Sequence, residues 1–246
     1  MIERDPEKFL SALRDALHKR LDADRFLKPQ DLLFAASMSA VPVRLSALDS
    51  LAAKFLDASV NSSTDLNKRQ EQNQILFDFF SNAVGLFESF YCGSYFVGAM
   101  LDPDAFGLGI PFNGILKQLR KIGPRSTLES YTKFADSSEF TKQLQHFLAS
   151  KECKLIDMMR NLLVHCVVPG RTIPLSTHGD FPHCIDRDQW YEGDMTKIYG
   201  GVGLPEPGST FQLDENCLAR QRDWIENAID GLVGELTALA KTNGLG

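Results

Sequence analysis

Apolar residues recur at helical spacing along most of the chain. Phe9, Leu10, Leu13, Leu17 and Leu21 share one face of a helix that Asp5-Pro6 would start, because proline is favoured at the first helical position. That stripe runs to about Leu27, and Pro42 then predicts a break before Leu45, Leu48, Leu51, Phe55 and Leu56 repeat the pattern. Thr64 or Asp65 can cap a long helix carrying Ile75, Leu76, Phe79, Phe80, Val84, Leu86, Phe87, Phe90 and Phe96, whose density of large apolar groups marks it as the central core helix. Ser126-Thr127-Leu128-Glu129 reads as a capping box opening another helix. Ser138 can cap a further run through Phe140, Leu144, Phe147 and Leu148 toward residue 160. Asp214 precedes a last helix that reaches about Thr242 and is closed by Gly244. No fixed-period repeat is evident.

Between Val168 and Leu213 the helical period is lost, and glycine, proline and aromatic residues take over. Irregular segments of this length are usually functional or disordered, so its position makes it a candidate lid. Arg171 to Leu175 and Lys197 to Tyr199 could form small strands. Trp190, Tyr191 and Tyr199 could stack on bases, although packing is the commoner fate of such aromatics. The expected architecture is one all-α domain. It comprises N-terminal helices over 1–60, a core bundle over 64–167, a loop-rich insert at about 168–213 and a C-terminal helix over 214–243.

With 246 residues, 43% hydrophobic and 24% charged, the chain can bury one large core. Cysteines at 92, 153, 166, 184 and 217 are odd in number and show no Cys-x-x-Cys spacing, and the N-terminus, MIERDPEK, is charged. These features predict a reducing, cytoplasmic setting. The most apolar stretch, Ala83 to Leu101, contains Glu88 and three glycines, which predicts a buried helix and no membrane partner. A net charge of −6 argues against broad affinity for nucleic acid, so any RNA site must be local. The candidate is Lys117, Arg120, Lys121 and Arg125, the first three on one helical face, with a solvated surface as the plainer alternative.

The most pointed chemistry lies in Met159-Arg160-Asn161-Leu162-Leu163-Val164-His165. An arginine grips a phosphate with a permanently charged fork, and a histidine titrates near neutrality, so the pair suits phosphodiester chemistry without a metal. The plainer alternative is a helix end with a cation near its negative dipole pole. Leu155, Ile156, Met159, Leu162, Leu163 and Cys166 form one apolar stripe. On a regular helix Arg160 and His165 stand roughly 140° apart and about 7.5 Å apart along the axis, flanking that stripe on opposite sides. Asp157, Asn161 and His165 recur every four residues, so Asn161 can orient the imidazole and Asp157 can pair with Arg160. Glu88 would be costly if buried unpaired; it can meet Arg160 or a backbone donor, a structural salt bridge being the commoner role.

Arg160-Asn161-x-x-x-His165, on the last long apolar helix before an irregular segment, resembles the signature of the HEPN superfamily of all-helical nucleotide-binding and ribonuclease domains. The resemblance covers about ten residues strongly and the flanking helices only in type and order. It implies a HEPN-like helical bundle in which two protomers pool Arg160 and His165 into one metal-free, RNA-cleaving cleft. His165 would activate the ribose 2′-hydroxyl or protonate the leaving oxygen, Arg160 would hold the pentacoordinate phosphate, and Asn161 would orient a partner. The resemblance further implies a homodimer and an antitoxin or nucleotidyltransferase partner, with no cofactor. A non-catalytic helical module that binds a nucleotide or a protein keeps the same fold without the chemistry.

Rival chemistry is weaker. His165, Cys166, His178, His183 and Cys184 contain enough ligand types for zinc but match no established zinc spacing, and no cysteine is marked as an activated nucleophile. Gly200-Gly201-Val202-Gly203 lacks the following lysine of a phosphate loop and reads as a turn.

Because one regular helix cannot bring Arg160 and His165 onto one phosphate, either the helix breaks after Val164 or the second residue comes from another copy, and a two-fold dimer is the simpler solution. Sedimentation should show a dimer at micromolar concentration, with spin labels at Asp157 of the two copies reporting a short distance. A monomer, or labels far apart, would count against the shared site.

Overall fold

The computed structural model describes residues 29–60, 66–107, 121–164 and 216–244, with short strands at 175–176, 183–184, 189–191 and 210–212. Among the described residues there are six helices: α1 (Pro29–Val60), α2 (Leu66–Leu101), α3 (Pro124–Ala135), α4 (Glu139–Ala149), α5 (Lys151–Val164) and α6 (Cys217–Thr242). The protein is therefore of the all-α class. Between α5 and α6, β1 (Leu175–Ser176) pairs antiparallel with β2 (His183–Cys184), and β3 (Gln189–Tyr191) with β4 (Thr210–Gln212). The first helix expected, from Asp5 to Leu27, and the strand expected at Lys197 to Tyr199 lie outside the described residues.

The chain divides into two compact units. One comprises residues 1–45, 85–148 and 226–246, and the other 46–84 and 149–225.

The first unit is organised around the C-terminal half of α2. From Leu86 to Val97 nearly every turn of this helix is buried on more than one side, including Phe87, Phe90, Tyr91, Tyr95 and Phe96, as a central core helix requires. Asp102 then turns the chain back, its Oδ1 accepting the N–H groups of Asp104 at 3.1 Å and Ala105 at 3.0 Å. This turn delivers Phe106 onto α2 at Gly98, where any Cβ would overlap the ring. The Tyr95 hydroxyl donates to the Phe106 carbonyl. Phe106 in turn meets Tyr131 of α3 edge to face at 4.8 Å, and Tyr131 meets Phe140 of α4 at 4.6 Å. Such geometry adds about 0.5–1.5 kcal/mol per pair beyond area burial. The wholly buried Tyr131 hydroxyl donates to the Ser94 carbonyl at 2.6 Å. Phe147 of α4 closes on Phe87 at 5.1 Å, edge to face.

In the second unit the core is built from Leu48, Ala52 and Phe55, from Ile75 to Val84, and from Cys153, Ile156, Met159, Cys217, Leu218 and Ile225. Gln72 is buried and donates through Nε2 to the Ala58 carbonyl at 3.3 Å. Arg222 of α6 forms an ion pair with Asp49 of α1 and a second with its neighbour Asp223 at 3.0 Å.

Three expected boundaries are corrected. Pro42 does not break a helix: α1 runs through it. Losing the bond to the Met38 carbonyl costs about 3 kcal/mol. Phe34, Met38 and Val41 before it and Leu48, Ala52 and Phe55 after it are all buried in one helical register, at about 1.5–3 kcal/mol for each large side chain, and they outweigh that loss. The box at Ser126 does not open α3, which starts earlier, at Pro124. Proline's fixed φ suits the first helical position after an extended Gly123. Ser126 sits at the third position, where its Oγ accepts the Gly123 N–H at 2.9 Å. Finally, the run capped by Ser138, whose Oγ accepts the Thr141 N–H at 3.1 Å, stops at Ala149. Ser150 caps a separate helix, α5, accepting the Cys153 N–H at 3.2 Å.

Helix α2 contains a segment, Gln70–Leu101, that is long and apolar enough to cross a membrane by length and composition, but 72% of its most apolar window is buried within the fold.

Two predictions follow from this packing. Gly98→Ala should lower the urea midpoint by the equivalent of about 1–3 kcal/mol, since the new methyl displaces the Phe106 ring. Gly234→Ala, on α6 with nothing near the added methyl, should instead raise it by about 0.5–1 kcal/mol. Equal effects of the two substitutions would refute the seating of Phe106 on Gly98.

Burial also pushes the Tyr131 hydroxyl well above the ordinary tyrosine value of 10.0. A raised value means that the stability gained by keeping the phenol neutral is complete below pH 10.0 and is lost as pH climbs through the folded-state value. Tyr131→Phe should cost about 0.5–1.5 kcal/mol at neutral pH and flatten the alkaline fall in denaturation midpoint. An alkaline profile unchanged in the variant would refute this.

Candidate functional site

Helix α5 carries the motif that the sequence singles out. Ser150 fixes its start, and Cys153, Ile156 and Met159 turn one face into the core, the last two with no exposed surface. Residues at the helical positions between them must then stand toward its edge. Asp157 and Arg160 do so, with side chains 60% and 30% exposed. Asn161 is half-buried.

Asp157 is the shared acceptor of this edge. Its Oδ1 lies 3.9 Å from Arg160 Nη2, and its Oδ2 accepts a hydrogen bond from Asn161 Nδ2 at 3.3 Å. Both contacts follow from helix spacing, since positions three and four residues on are neighbours on the surface. The arrangement presents a guanidinium and an amide within two turns, two donors able to hold a phosphodiester, beside a carboxylate that positions them and opposes the anion. His165, the general acid or base expected from the sequence, lies outside the described residues, as do Cys166 and His178. The described part of α5 ends at Val164, one residue before it.

Glu88 is exposed, so the cost of an unpaired buried charge does not arise: water at this position of α2 offsets the cost of its charge. Of the basic group, Lys117 and Arg120 lie outside the described residues. Lys121 is exposed, and Arg125 is 92% exposed with Glu129 at 4.0 Å, an exposed pair that screens part of its charge.

Among the described residues no group of three or more His, Cys, Asp or Glu side chains could hold a metal ion. His183 and Cys184 form β2, in register with Ser176 and Leu175. Trp190 and Tyr191 lie on β3 opposite Phe211 and Thr210. Cys153 and Cys217 are buried. Cys92 is half-buried, and burial pushes its thiol up against the opposing hydrogen bond with Ser37, so it is not a thiolate at neutral pH.

Sequence reasoning passed over Ser150, the residue that sets where the motif helix begins. Its signal was a serine three residues ahead of a buried position, Cys153, the spacing of an N-terminal cap. Compared with protein-family models, curated proteins and solved structures, the chain matches none.

Proposed function

We propose that the protein is a metal-independent endoribonuclease of HEPN type, acting on single-stranded RNA as a homodimer. The observation that carries this reading is the Asp157–Arg160–Asn161 cluster on the partly exposed edge of α5, directly ahead of His165. In the proposed reaction the ribose 2′-oxygen attacks the adjacent phosphorus, the bond to the 5′-oxygen breaks, and the products are a 2′,3′-cyclic phosphate and a 5′-hydroxyl. His165 takes the 2′-hydroxyl proton or supplies one to the leaving oxygen, Arg160 neutralises charge on the pentacoordinate phosphorus, and Asn161 orients a partner group.

A second reading, a non-catalytic module that binds a nucleotide or a protein, is favoured by two observations. The chain carries a net charge of −6, and Arg160 already has an acidic neighbour on its own helix. The ribonuclease reading is preferred because that neighbour is exposed and its contact is long. Surface pairs of this kind are worth at most about 1 kcal/mol, little against a two-pronged phosphate contact. An antitoxin or nucleotidyltransferase partner is proposed only by the same resemblance.

Purified protein should cut single-stranded RNA in the presence of a chelator, leave 2′-deoxy substrates intact and yield 2′,3′-cyclic phosphate ends. His165→Ala and Arg160→Ala should each lower the rate by at least ~10²-fold without changing the circular dichroism spectrum. Cutting by His165→Ala at the wild-type rate would place the chemistry elsewhere.

A further inference from the structure

We infer that Asp157 is an internal counter-ion latch, which holds Arg160 on its own helix until the backbone phosphate of single-stranded RNA displaces it. This inference rests on the ribonuclease reading of the same cluster. The two oxygens of Asp157 have separate tasks: Oδ2 accepts from Asn161 at 3.3 Å, while Oδ1 stands 3.9 Å from the Arg160 guanidinium. One carboxylate thus positions both polar residues of the motif. Its hold on Asn161 is a hydrogen bond, whereas its hold on Arg160 is a long electrostatic contact well beyond the ~2.7–2.9 Å of a direct charge-assisted bond. The second is the one a ligand can replace.

A phosphodiester brings two non-bridging oxygens that match the guanidinium fork at short range, so it competes well with a single carboxylate oxygen at 3.9 Å. Asp157 does not leave when Arg160 is taken. It is fixed to α5, and its negative charge stays close to the incoming phosphate. The latch therefore weakens every RNA complex by the attraction it gives up and the repulsion it adds. A lone phosphate bears the same cost with no other contact to offset it, so its occupancy falls at concentrations where RNA with contacts elsewhere still binds. Asp157 acts through Arg160 and is a positioning residue, outside the bond-making steps.

Binding of a fluorescent, fully 2′-O-methylated single-stranded RNA, which lacks the internal nucleophile and cannot be cut, tests this separately from catalysis. At low salt Asp157→Asn should bind about two- to five-fold tighter than wild type, a gain that shrinks as salt rises. Asp157→Glu, which restores the charge, should return affinity to near the wild-type value. In an Arg160→Ala background the gain from Asp157→Asn should largely vanish, because the latch has nothing to hold. Unchanged or weaker binding by Asp157→Asn, or the same gain with and without Arg160, would overturn the latch while leaving the ribonuclease reading intact. Arg160→Ala that binds as tightly as wild type, or no RNA binding by any variant, would overturn the ribonuclease reading and the latch with it. Helical circular dichroism retained in each variant shows that the difference is not one of folding.

Discussion

The first unit depends on how closely Phe106 approaches α2, and a glycine permits that approach. With no Cβ at Gly98 the ring lies directly on the helix backbone, and the turn that Asp102 ties is what delivers it there. Once seated, the ring presents its faces and edges to Tyr95 and Tyr131, and Tyr131 passes the packing on to Phe140. A helix of twelve residues such as α3 would be marginal alone. It is held because its buried tyrosine is wedged between rings and tied to the Ser94 carbonyl. Loss of the close approach would therefore loosen several contacts together, since interiors are packed too tightly to absorb a displaced ring.

The candidate site follows a different logic. Ile156 and Met159 anchor α5 by burial, while the polar cluster at its edge is held by contacts of modest strength. Rigidity comes from the apolar face and chemical adaptability from the polar edge. The phosphate-binding role proposed for Arg160 would need both, because such a group must be placed accurately and yet be able to exchange partners. Asp157 meets the requirement by bonding Asn161 and standing off from Arg160.

Much of this was legible in the sequence where one pattern had one reading. The long run of aromatics from Phe79 to Phe96 could only be a core helix, and the Asp157, Arg160 and Asn161 neighbourhood followed from three- and four-residue spacing. Ser138 capped the helix it was expected to cap. Local rules misled where a distant term outweighed them. Pro42 reads as a breaker in any sequence, yet the apolar residues on both sides of it keep one register through the proline. Ser126 fitted a cap by its own spacing, but Pro124 claimed the start of the helix and left the serine to serve from within.

The sequence by itself determined the helical class, the central helix and the polar edge of α5, because all three rest on periodicity within a single element. Tertiary structure decided the rest: that Glu88 faces water, that Gly98 receives a phenylalanine, and that Arg222 pairs with Asp49 across more than 170 positions of chain. These outcomes depend on which atoms from remote segments arrive at one place. No spacing along the chain encodes that arrival, since closing so long a loop is governed by the whole core that forms with it.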